Sequence, residues 1–148
     1  MTPESRKATA LAKRAALKSA EAEAFAEQEA IDFERLVDLE EEHGFERVLR
    51  IDLGGWKPNA GAATMVVARV PLGSERDYKR FEETVSKPKS ENLKAAHTLA
   101  LACIVYPHPK NDAALYAATL ELAPGLLTHV AGQIAAAVQG RAEEEKKG

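Results

Sequence analysis

Aromatic side chains are scarce in this chain, at 5% of 148 residues, so no core can be built mainly on Phe, Tyr or Trp. Cysteine is nearly missing as well. Cys103 stands alone, which excludes an intramolecular disulfide framework and any all-cysteine metal site. No apolar run approaches the roughly 18 residues that read as a membrane span. Residues 1–20 lack the continuous apolar stretch of a secretory leader, so export by that route is not expected. Their basic, acid-poor character loosely resembles an organellar transit peptide, but it suits an exposed helix equally well. A cytoplasmic protein is expected.

Chemical motifs are missing too. The histidines at 43, 97, 108 and 129 do not pair with each other or with Cys103 at a metal-ligand spacing. Cys103 sits in an apolar segment, where a buried, inert thiol is the default. Gly54-Gly55 and Gly61 do not lead from a strand into a helix in phosphate-binding order, and Gly-x-Ser-x-Gly does not occur. Glu40-Glu41-Glu42 reads as a solvated helix end rather than an acid/base pair. No catalytic residue, cofactor or metal is therefore expected, and no enzyme.

Alanine occupies the space that aromatics leave. There are 28, concentrated in residues 8–30 and 95–137. Alanine has the highest helix propensity and buries little area, which favours helices in close approach. The net charge of −3 hides a segregated pattern. Residues 1–20 carry net +4, residues 21–46 net −10, residues 47–90 net +4, and residues 91–140 only −1. A charged N-terminal half precedes a nearly uncharged, Ala/Leu-rich one. Nucleic-acid binding through the basic N-terminal arm together with Arg69, Arg76, Lys79, Arg80, Lys87 and Lys89 ranks third, because the chain is acidic overall and poor in stacking aromatics.

Residues 3–43 are predicted to form one long helix, with Thr2 as N-cap, Pro3 in the first turn and Gly44 as the stop. Its thin apolar stripe runs through Leu11, Ala15, Ala22, Phe25, Ala26, Ala30, Phe33, Leu36 and Val37. The portion before Phe25 is expected to protrude or fray. The order of charges, basic before acidic, opposes the helix dipole. Residues 45–52 and 63–70 read as two strands of a hairpin around the Gly/Pro-rich connection 53–61. Ser74 is the expected N-cap of a short helix with Asp77 at the reciprocal position, and Tyr78, Phe81 and Val85 on one face. Residues 91–106 read as a buried central helix, with Leu93, His97, Leu101 and Ile104 on one of its two apolar faces. Asn111 or Asp112 caps a helix to Leu122. A last helix carries Leu126, Val130 and Ile134 and stops at Gly140. The expected fold is α+β and mostly α: a long N-terminal helix, a β-hairpin, then a compact bundle of about four helices. Its parts are a charged arm (1–43), a hairpin plus helical domain (44–140) and a polar tail (141–148).

Three segments in order carry a resemblance: Tyr78-Lys79-Arg80-Phe81, Ala102-Cys103-Ile104-Val105-Tyr106-Pro107, and Pro124-Gly125-Leu126-Leu127. Their order resembles that of small phage tail assembly chaperones, over about residues 45–140; the arm of residues 1–40 lies outside the pattern. The resemblance implies a non-enzymatic protein that holds an aggregation-prone, helical tape-measure component until the tail tube polymerises. Such a role fits an apolar helical surface laid against a partner helix, with a charged arm for solubility. The alternative is a structural tail or capsid protein whose arm clamps neighbouring subunits, and a third possibility is a cellular adaptor. The expected partners are a tail or virion protein and further copies of this chain, with no membrane. Candidate partner contacts are Trp56, Tyr78, Phe81, Phe25 and Phe33. Trp56, on a Gly-rich loop, is equally suited to anchor a partner or to plug the core.

Overall fold

The structure, a computed structural model, describes residues 2–54 and 61–147, with the backbone alone for 142–147. Helix α1 spans Pro3–His43. The Thr2 hydroxyl accepts a hydrogen bond from the Ser5 amide at 3.1 Å, and Pro3 begins the first turn. Gly44 ends the helix at φ +89°, a conformation that side-chain-bearing residues rarely adopt. Both ends are where the local rules place them.

A single 3-10 turn, Phe45–Arg47, leads into strand β1 (Val48–Asp52). The first strand is thus shorter than expected, because Phe45 points into solvent at 77% exposure rather than joining a ladder. Strand β2 (Met65–Arg69) pairs antiparallel with β1, from Val48 opposite Arg69 to Asp52 opposite Met65. A third strand, β3 (Ile104–Tyr106), pairs antiparallel with the other side of β2. Residues 104–106 were expected to continue the central helix. They are two β-branched residues and a tyrosine ahead of Pro107, and that composition favours a strand once an open edge is available.

The sheet has helices on both sides, which explains the unbroken apolar run of β2. Met65 and Val67 pack against Leu36 and Leu39 of α1, together with Tyr106. Val66, Ala68 and Val70 face the other way, into the main core. That core is completed by α2 (Arg76–Glu83), α3 (Lys89–Cys103) and α5 (Leu126–Lys147), with Leu99, Ala100, Leu126, Val130 and Ile134 at most 2% exposed. The pairing shifts between Val67 and Ala68, which face Tyr106 and Ile104 and leave Val105 as the extra residue. This bulge lets Ile104 join the main core while Tyr106 joins the α1 side.

Helix α4 (Ala113–Leu122) follows β3. The architecture is α+β, with a long N-terminal helix, a sheet built on a β-hairpin and, among the described residues, four further helices. Several boundaries differ from expectation for identifiable reasons. Helix α2 begins after Glu75, not Ser74, and Val85 lies beyond its end at 70% exposure. Asp112 is the N-cap residue of α4, which ends at Leu122, both as expected, although its carboxylate accepts the His108 amide at 2.8 Å rather than an amide of the helix. Helix α5 runs through Gly140 to Lys147, because nothing requires a left-handed turn there, so residues 141–147 are helical rather than an irregular tail. Leu101 is 46% exposed, and Leu93 is only half-buried. The packed face of α3 is Ala95, Ala96, Leu99, Ala100 and Cys103. His97 is exposed on the opposite side.

Candidate interaction surface on the long helix

Helix α1 changes character along its length. Residues 2–23 are exposed throughout. From Ala24 a narrow stripe at helical spacing (Ala24, Gln28, Asp32, Leu36, Leu39) turns toward the sheet, and its last three members are buried. Two leucines, at about 1.5–3 kcal/mol each when fully buried, are a small hydrophobic footing for so long a helix.

A buried polar cluster supplements it. Asp32 is fully buried and accepts four hydrogen bonds. The Thr64 amide and hydroxyl both donate to Oδ2 at 2.6 Å. Gln28 donates to Oδ1 at 2.7 Å, and the Tyr106 hydroxyl donates to the same oxygen. Burial, and then its bond to Asp32, push the Tyr106 phenol well above its ordinary pKa, so it remains a donor. One carboxylate thereby ties α1 to the start of β2 and the end of β3. Next to it, the Ala63 amide donates to the Thr119 hydroxyl at 2.9 Å, which bonds α4 to the same turn. At the incoming end of β2 the Ala63 and Thr64 amides are thus satisfied by side chains, while the Thr64 carbonyl accepts the Leu53 amide at 3.0 Å.

Around the footing lie exposed apolar side chains. Phe33 and Val37, one turn apart on α1, are 49% and 44% exposed. The Arg50 guanidinium of β1 sits 5.7 Å from the Phe33 ring centroid, over its face. Ile31, on the other flank, lines an open groove of about 460 Å³ with Gln28, Arg35, Asp38, Tyr106 and Leu115. Phe25 lies farther out on the free part of the helix.

The candidate contact residues therefore do not converge. Phe25 and Phe33 are together on α1, two turns apart and accessible. Tyr78 is 3% exposed and belongs to the main core, so it is a packing residue and not a contact. Its neighbour Phe81 is half-buried against the same core, across the sheet from α1. Trp56 lies outside the described residues. Leu126, Val130, Ile134 and Ile104 are core residues, as expected.

Two further groups have structural roles. Arg69, at the end of β2, forms a two-point contact with Glu75 at 2.8 and 3.1 Å, and Glu75 also accepts the Leu72 amide at 2.6 Å. Burial would raise the Glu75 pKa, but the bonds from Leu72 and Arg69 outweigh it and lower the value. This engagement explains why Glu75, rather than Ser74, starts α2. It also occupies one of the bases considered for phosphate contact. Cys103 is buried, and burial pushes its thiol up to about 11, as expected for an inert cysteine. Among the described residues, no three His, Cys, Asp or Glu side chains are placed to hold a metal ion. Among them, too, no helix is long and apolar enough to cross a membrane.

Asp32 was not anticipated as a structural residue. The signal was its place on the stripe of Leu36 and Leu39, an acid where the spacing calls for an apolar residue. Comparison with protein-family models, curated proteins and solved structures finds no match to this chain.

Proposed function

We propose that the chain is a non-enzymatic, protein-binding assembly factor of the tail-chaperone kind, which shields an apolar helical segment of a tape-measure-like partner. The observation that carries this reading is the pair Phe33 and Val37, displayed beside Arg50 on a helix that already has its buried footing. Large apolar groups with a cationic neighbour form a hot-spot-like patch for an amphipathic helix. The acidic residues that follow, from Glu34 to Glu42, rim the patch and keep the complex soluble.

Co-expression tests the reading. The wild-type chain should raise the soluble fraction of a tape-measure-like partner, and Phe33→Asp should abolish the effect at a stability cost no larger than the lost Arg50 contact, about 0.5–1 kcal/mol. An equal effect from both proteins, or none from either, contradicts it.

The exposed N-terminal part of α1 favours a second reading, a structural tail or capsid subunit whose arm clamps a neighbour. Mass spectrometry of purified particles separates the two. A chaperone is absent from the particle, and a structural subunit is present in stoichiometric amount.

A further inference from the structure

The stripe that docks α1 continues outward along its free part. From Leu39, Leu36 and Asp32, alternating three- and four-residue steps lead through Glu29 to Phe25, Ala22, Lys18, Ala15, Leu11 and Ala8. Phe25 and Leu11, the bulky members, are 39% and 51% exposed. The charges on this stretch are segregated. Residues 3–16 hold Arg6, Lys7, Lys13 and Arg14 against Glu4, a net +3. Residues 17–30 hold Glu21, Glu23, Glu27 and Glu29 against Lys18, a net −3.

In a lone helix this order is unfavourable, since the basic end meets the positive pole of the macrodipole. It becomes favourable against the same sequence running in the opposite direction. We infer that the free part of α1 pairs antiparallel with α1 of a second copy of this chain. The register that fits sets Phe25 against Ala8 of the partner subunit, Leu11 against the partner's Ala22, and Ala15 against the partner's Lys18. Each contact occurs twice by symmetry, bulky groups meet small ones, and the +3 segment of each copy lies along the −3 segment of the other. Arg14 flanks the seam opposite the partner's Glu21. The partner's Pro3 then reaches Ala30, just short of Asp32, where the stripe enters its own domain. A shift of seven residues toward the domains drives the partner helix past Asp32 into the docked part. Parallel pairing places like charges side by side. The inference uses the free part of α1, not Phe33 and Val37, and stands independently of the chaperone reading.

Light scattering on the full-length protein across a concentration series should show a dimer that weakens with salt. Phe25→Asp, at an exposed position, should raise the dimer dissociation constant by about tenfold or more without moving the unfolding midpoint of the monomer, read at a concentration where both proteins are dissociated. Arg14→Glu should weaken the dimer, and adding Glu21→Arg should restore it. A spin label on Arg6→Cys (Cys103 being buried) should report its twin at roughly 30 Å, from the rise of about 1.5 Å per residue, against roughly 10 Å for parallel helices. A monomer at every concentration overturns the inference. So does the short label distance, or a dimer indifferent to Phe25→Asp.

Discussion

Replacing Asp32 with alanine removes one acceptor shared by four donors. Gln28 is half-buried and can turn to water, but three donors cannot. The Thr64 amide and hydroxyl and the Tyr106 hydroxyl belong to residues 7% and 4% exposed. An orphaned buried donor costs about 1–3 kcal/mol, and the hydroxyls can partly reorient, so a total of about 3–6 kcal/mol is expected. Against a domain stability of about 5–15 kcal/mol, that is a large fraction. Urea unfolding followed by circular dichroism should show the midpoint falling by about 2 M, taking a slope of about 2 kcal/mol per M. Tyr106→Phe removes only one donor and should cost about 1–2 kcal/mol. Because the two side chains share a bond, the double variant should lose less than the sum of the singles, by about 1 kcal/mol or more. A cost below about 1 kcal/mol for Asp32→Ala, or strict additivity with Tyr106→Phe, refutes the claim that this cluster anchors α1.

Other consequences can be checked with the same protein. Leu99→Ala should cost about 2–5 kcal/mol in chemical unfolding, whereas Leu101→Ala, on the exposed side of the same helix, should cost under about 1 kcal/mol. Cys103 should resist a thiol reagent in the folded protein at neutral pH and react fully in denaturant, since its thiol is buried and its pKa lies at about 11. For Glu75, whose folded pKa is lowered, the associated stability is present at neutral pH and is lost as pH falls through that folded value. Glu75→Gln should therefore lower the neutral unfolding midpoint and flatten its fall below about pH 4.

The parts legible in the sequence were those governed by local rules. Thr2, Pro3 and Gly44 bracket α1 through capping chemistry that acts within one turn. The β1–β2 hairpin follows from β-branched runs on either side of a Gly/Pro-rich connection. What was not legible depended on distant partners. Ile104–Tyr106 becomes a strand only because β2 offers an open edge, and in sequence alone this apolar run looks like a continuation of the helix before it. Leu101 and Leu99 look alike in sequence, and only the position of α5 and the sheet decides which is buried. Tyr78 looked like a contact because scarce aromatics draw attention, but the same scarcity puts it to use in the core. An acid on a charged helix is ordinarily solvated, so Asp32 does not stand out among its acidic neighbours. Its role appears only when Thr64 and Tyr106 arrive from elsewhere in the chain.

The central claim is that α1 is one helix with two parts, a docked C-terminal part and an N-terminal part stabilised by another molecule. Hydrogen exchange of the full-length protein at low and high concentration tests it most directly. Amides of residues 32–43 should be protected at both concentrations, while those of residues 6–25 should exchange rapidly when dilute and slowly when concentrated. Equal, concentration-independent protection along the whole of α1 would contradict the account.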